Sequence, residues 1–328
     1  MMKKKGKSYL INFALVAVLF VVLQVLISSG VINRYYNGIL MLVGINVILA
    51  VSLNLATGFL GQLVLGHAGF MAVGAYTAAL FTLNSSLPEG LALLIGMVLG
   101  GLVAAVFSAV IGIPALRLRG DYIAILTLGF GEIIRVLLNS LEFTGGAKGL
   151  NGIPAYTTFP SVFIVAALTV YIIYAFINSR HGRAVIAIRE DEIAAESAGI
   201  HTTYYKMFAF ILSAFFAGVA GALYANYIGV LAPAKFDFNY SVEILLMVVM
   251  GGMGSITGSI VAAVVLTFLP ELLRGFSDYR MLIYSAILIA IMLFKPTGLL
   301  GQQEFSLAGL AKRGKRWFAK RKKGKEGA

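Results

Sequence analysis

Arg180-His-Gly-Arg-Ala-Val-Ile-Ala-Ile-Arg-Glu-Asp-Glu-Ile-Ala-Ala-Glu-Ser-Ala-Gly-Ile-His-Thr-Thr-Tyr-Tyr-Lys206 is the one long, densely charged stretch between apolar runs otherwise nearly free of ions. Its four cations (Arg180, Arg183, Arg189, Lys206) are matched by four carboxylates (Glu190, Asp191, Glu192, Glu196). A segment made to lie on anionic lipid is one-sidedly basic. Mixed sign suits the surface of a protein partner. Acidic residues crowd the start of a short periodic run and Gly199 follows it, so a helix is expected over Asp191–Ala198 with Gly199 as its cap. Asp191, Ala194, Ala195 and Ala198 then share one face, where small side chains let another surface come close, and Glu192 and Glu196 share a second. The plainer alternative is a solvated loop, as most charge runs are.

The apolar runs on either side decide the class. Of 328 residues, 59% are hydrophobic and 12% charged, with mean hydropathy +0.91. Soluble domains carry about a quarter charged residues. Repeated runs of about 20 apolar residues are long enough to cross hydrocarbon as helices. They are continuous rather than alternating, which argues against a β-barrel. The chain therefore reads as an all-α polytopic membrane protein. Its net charge of +12 comes from the two tails: Lys3, Lys4, Lys5 and Lys7 at one end, and nine cations between Lys312 and Lys325 against Glu326 at the other. These cations flank apolar spans, so lipid headgroups are their expected partner rather than nucleic acid. The positive-inside rule then places both termini in the cytoplasm. With no cysteine, disulfides, thiol nucleophiles and thiolate metal sites are excluded.

Along the chain, a basic tail (1–8) precedes a first span over Tyr9–Ser29, which lacks a convincing cleavage site and reads as a retained helix. Arg34 falls in a short outer turn, and a second span covers about Gly38–Ala56. A glycine-punctuated stretch leads into a third span ending near Leu83. The fourth covers about Leu91–Leu116, followed by an inner turn with Arg117, Arg119 and Asp121. The fifth covers Tyr122–Ser140 and the sixth Ser161–Ile177, with the Gly-rich loop 141–160 outside. The seventh covers about Met207–Val230. After it, Gly251-Gly-Met-Gly254 breaks a long apolar run, and a hairpin folding at these glycines restores the parity that a cytoplasmic C-terminus requires. A last span over Met281–Phe294 and a basic tail (299–328) complete the chain. Eight to ten membrane helices are expected, in a domain spanning 9–298. Blocks from the second to fifth and the seventh to tenth helices begin on opposite sides, the arrangement of an inverted repeat.

Polar and glycine-rich positions inside the spans are the candidate pathway. Gln62 and His67 sit among Gly58, Gly61, Gly66 and Gly69. Buried polar groups at bilayer depth line a pathway or act as interhelical glue. Both readings stand for Gln62 and His67, and the path is expected to take in Tyr76 and Gly251, Gly252 and Gly254 of the second glycine break as well. Glu132 and Arg135, at i, i+3, suit a structural ion pair. The stretch from Thr144 to Gly152 reads as a flexible external loop. No phosphate-cradling Gly-x-x-x-x-Gly-Lys-Ser/Thr motif occurs, so ATP hydrolysis is not expected of this chain. His67, His181 and His201 form no metal-ligand pattern.

Arg183–Ile200 resembles the coupling loop of branched-chain amino acid permease subunits of ATP-binding cassette importers. Three more stretches carry the resemblance: Thr57-Gly-Phe-Leu-Gly-Gln-Leu-Val-Leu-Gly-His-Ala-Gly-Phe-Met-Ala-Val-Gly-Ala-Tyr-Thr77, Leu118-Arg-Gly-Asp-Tyr-Ile-Ala-Ile-Leu-Thr-Leu-Gly-Phe-Gly-Glu-Ile-Ile-Arg135 and Gly251-Gly-Met-Gly-Ser-Ile-Thr-Gly258. Together they are similar to the M-type branch of the leucine, isoleucine and valine system. In the wider importer pattern a glutamate precedes two alanines, and Ile193 stands in its place here. The resemblance implies a permease in a bacterial or archaeal cell membrane that binds no cofactor itself. Its implied partners are a second related permease, two cytoplasmic ATPases that consume ATP, and an extracytoplasmic substrate-binding protein. It also implies ATPase docking on Arg180–Lys206, through Arg189, Glu190, Asp191, Glu192, Ala194, Ala195, Glu196 and Gly199. Urea, short amides or other amino acids are alternative cargoes. An ion-coupled secondary transporter is the alternative of another class.

Overall fold

A computed structural model describes residues 2–115, 120, 122–295 and 297–301. The turn residues Arg117, Arg119 and Asp121 and the cationic stretch past Gly301 lie outside the described residues. The chain runs α1 (Met2–Ser28), α2 (Arg34–Asn54), α3 (His67–Asn84), α4 (Glu89–Ala115), α5 (Tyr122–Ser140) and α6 (Phe159–Ile177). It continues through α7 (Arg180–Glu190), α8 (Glu192–Ser197), α9 (Thr202–Ile228), α10 (Phe238–Gly251), α11 (Ile256–Leu272) and α12 (Arg280–Phe294). Among the described residues, six helical stretches are long and apolar enough to cross a membrane: Arg34–Phe59, Glu89–Ala115, Tyr122–Ser140, Phe159–Ile177, Thr202–Ile228 and Ile256–Phe276. Arg34 opens α2 rather than sitting in a turn, because the Asn33 side chain caps that helix by accepting from Tyr36 N at 3.0 Å. α1 starts at Met2, ahead of the expected Tyr9.

The core is a seam of small residues. α3, α4 and α9 cross through Gly74, Gly100 and Gly218. A Cβ added at Gly218 would lie 2.6 Å from Gly100 O, and one at Gly100 would lie 2.7 Å from Gly74 O. In lipid there is no hydrophobic drive between helices, so such backbone-to-backbone approach supplies the dispersion contacts that hold them. Ser213 Oγ adds a hydrogen bond to Ser52 O at 2.6 Å, tying α9 to α2.

The hairpin forms as the parity argument requires. α10 and α11 meet at a turn where Gly252 and Gly254 take φ of 110° and 83°, open to glycine and strained for other residues. The chain after α12 returns to this turn, with Leu299 N donating to Met250 O at 2.7 Å. At the opposite end the loop from Thr144 to Gly152 is tied down, contrary to its reading as flexible. β1 (Leu150–Asn151) pairs with β2 (Val230–Leu231), and Ile153 N donates to Gly229 O at 3.1 Å. The two glycine breaks do not mark equivalent places in an inverted repeat. One follows α2, the first helix of its block, and the other follows α10, the second of its block.

Candidate functional site

The charged segment is two helices, not a loop containing one. Ser179 caps α7, its Oγ accepting from Gly182 N at 3.2 Å. Gly182 lets α7 fold back over the end of α6, since a side chain there would strike the Phe176 and Ile177 carbonyls. Asp191, expected as the first residue of the second helix, is extended and caps it instead. Its Oδ1 accepts from Ile193 N at 2.9 Å and Ala194 N at 3.0 Å. α8 closes with Gly199 at φ 84°, Gly199 N bonding Glu196 O and Ile200 N bonding Ala195 O, the paired bonds of a Schellman cap.

The faces of α8 differ from the expected ones. Ala195 is buried against the body of the protein, so it is not available to a partner. Glu192 also turns inward: its Oε2 lies 2.6 Å from Lys206 Nζ on α9, and the Lys206 side chain is only 5% exposed. What α8 presents is Ile193, 67% exposed, with Ala194 and Glu196 exposed beside it. A shallow cleft next to them is lined by Glu196, Gly199, Ile200, His201, Thr202, Thr203 and Tyr204. Ile193, the departure from the wider importer pattern, is the residue that sequence reasoning undervalued. Its signal was an isoleucine among charges.

Arg189 points away from this surface. Its Nε donates to Glu190 Oε1 at 3.1 Å, and its Nη1 donates to Gly58 O at 3.0 Å, in a π turn (Leu55–Phe59) that follows α2. Its stem packs on Gly61, where φ is 80° and an added Cβ would lie 2.7 Å from Arg189 Cγ. A Cβ at Gly254 would lie 2.9 Å from Arg189 Nη1. Asn54 completes the cluster: its Nδ2 donates to Ser255 O and its Oδ1 accepts from Gly254 N, both at 2.9 Å. The two glycine breaks, about 200 residues apart in sequence, thus adjoin each other under the end of α7.

A family model for the permease component of branched-chain amino acid transport systems matches residues 35–294. The chain belongs to this family. It is 42% identical over 291 residues to the high-affinity branched-chain amino acid transport permease LivM of Salmonella typhimurium, covering 78% of this chain and 68% of that one. It is 39% identical to Escherichia coli LivM over 331 residues, 90% of this chain and 75% of the relative. It is also 34% identical over 140 residues to E. coli LivH, another permease protein of that kind of system, with 42% and 44% covered. No solved structure matches.

Within the permease, the expected pathway residues divide. Gly61, Gly251, Gly252 and Gly254 gather at the joint with Arg189 or at the hairpin turn next to it. His67 is buried and links α3 to α2: its Nε2 lies 3.0 Å from Ser52 Oγ, a hydroxyl that donates to Leu49 O. Gly66 and Gly69 abut α5 at Thr127 and Gly131. Gln62 is buried, and among the described residues its Oε1 has no hydrogen-bond partner, as is true of Thr57 Oγ1. Tyr76 belongs to the far end, donating to Leu231 O at 3.2 Å beside β2. Glu132 and Arg135 form their pair at 2.7 Å, each about one-third exposed. Glu132 borders a small cleft with Leu65, Gly69, Gly131, Asp237 and Ser241. The residue that motif reading missed is Asn54. Its signal was an amide one helical turn ahead of Gly58, costly at bilayer depth unless it bonds across helices.

Proposed function

We propose that this permease forms one half of an ATP-driven path for branched-chain amino acids, completed by a second, related permease subunit. Two ATPase subunits drive it from the α7–α8 end, and a substrate-binding protein feeds it from the end that carries β1 and β2. The observation that carries the reading is α8 itself: a capped helix, braced by Glu192–Lys206, that holds Ile193 outward at one end of a membrane bundle. An exposed apolar residue flanked by the exposed carboxylates of Asp191 and Glu196 suits a protein partner, since apolar anchors within polar rims carry interface energy. The likeness to both LivM and LivH, two permease proteins named for one kind of system, favours a paired permease. The charge-rich tails favour a cytoplasmic location for the α8 end, because the chain after α12 returns to the hairpin turn on that side. The sequence contains no Gly-x-x-x-x-Gly-Lys-Ser/Thr phosphate-binding pattern, in keeping with ATP being handled by separate subunits.

The test is leucine uptake into proteoliposomes holding this permease with its proposed partners. Uptake that requires ATP and persists after the proton and sodium gradients are collapsed is expected. Uptake by the permease alone, driven by a gradient, would replace this reading with a secondary transporter.

A further inference from the structure

We propose that Arg189 is the pin that carries movement of α7–α8 to the joint where the two glycine breaks meet. The proposal rests on the reading of α8 as the ATPase-docking element. The backbone of Arg189 belongs to the last turn of α7, two residues before the extended cap at Asp191 where α8 begins, whereas its guanidinium ends in the joint. Nη1 holds the Gly58 carbonyl of the first break and lies against Gly254 of the second. Asn54 locks those breaks to each other through Gly254 N and Ser255 O. A rotation of α7 that carries the guanidinium along therefore moves the end of α2 and the hairpin turn as a unit. Arginine suits this task because its planar fork offers several donors at fixed angles. Nε stays on Glu190 while Nη1 reaches Gly58.

Two further polar groups lie beside the joint. Thr57 Oγ1 and Gln62 Oε1, on either side of Gly58 and Gly61 in sequence, are buried without a hydrogen-bond partner among the described residues. Unsatisfied polar groups raise the energy of the arrangement that leaves them so, and low-stability segments are where proteins move. The seam of α3, α4 and α9 carries its glycines in helical backbone, packed against neighbouring backbone.

The experiment uses the complete complex of permeases, ATPases and binding protein in proteoliposomes, with radiolabelled leucine as the probe. In Arg189→Gln the Glu192–Lys206 brace is untouched, so ATP hydrolysis should stay within about twofold of the parent while leucine moved per ATP falls about tenfold, the size of a typical coupling term. A purely structural role would lower both rates together, and that result overturns the proposal, as does an unchanged ratio. Arg189→Lys, which keeps the charge but loses the fork, should give a partial fall in the same ratio and carries the test if the glutamine variant does not assemble. An unchanged ratio in it overturns the proposal. Glu196→Arg, on the exposed face of α8, separates the two ideas. If it abolishes ATP-coupled uptake while Arg189→Gln is silent, docking stands and the pin falls. If it changes nothing, the docking reading falls and takes the pin with it.

Discussion

The seam and the joint are both built on glycine, yet they use it in opposite ways. At the seam, Gly74, Gly100 and Gly218 keep ordinary helical backbone, and the missing side chain buys proximity. At the joint, Gly61, Gly252 and Gly254 take φ of 80°, 110° and 83°, and what is gained is conformation. The buried backbone groups there are met by side chains: Arg189 on Gly58 O, Asn54 on Gly254 N and Ser255 O. The lesson is that a glycine in a membrane helix reads as rigidity or as movement according to whether a polar side chain stands beside it.

Substitutions should separate the two regions by size of effect. Gly218→Leu should be the most damaging, because its first carbon already meets the Gly100 carbonyl and backbone has no rotamer to yield. Overpacking costs about 1–3 kcal/mol in forgiving cores, and here the loss should exceed that range, read as absence of a stable purified permease in detergent. A well-folded Gly218→Leu protein would mean the seam is loose. Next comes Glu192→Arg, which leaves Lys206 buried beside a second cation and should cost about 2–3 kcal/mol after allowing for the one-third exposure of Glu192. Thermal unfolding and proteolysis within 191–200 would register it. Asn54→Ala should cost about 1–2 kcal/mol by taking away the acceptor of the buried Gly254 N, while Ser255 O keeps Ser259 N. Its signature is local: faster hydrogen exchange at Gly254 with no change at seam amides such as Gly218. Equal acceleration in both places would erase the distinction between them.

Much of the fold was legible in the sequence, because length and continuity of apolar runs suffice for spans in lipid. The fifth span matches α5 from Tyr122 to Ser140, and the hairpin followed from charge parity plus Gly251–Gly254. The cap at Gly199 was legible too, since a terminating glycine is a local signal. Which way a helix faces was not. Periodicity groups Ala194 with Ala195, yet only tertiary packing buries the second and exposes the first. Arg189 looked like one more docking charge because nothing local says that its long side chain reaches a carbonyl 131 positions away. The meeting of the two glycine breaks depends on the path of α2 and α10 through the bundle, which no window of sequence contains.

The central claim is that Ile193 stands on the cytoplasmic face where an ATPase seats. The natural chain has no cysteine, so Ile193→Cys provides a single reporter. An impermeant maleimide should label it in inside-out vesicles stripped of ATPases, and restoring the ATPases should protect it. Labelling from outside intact cells, or labelling that the ATPases leave unchanged, would contradict the account.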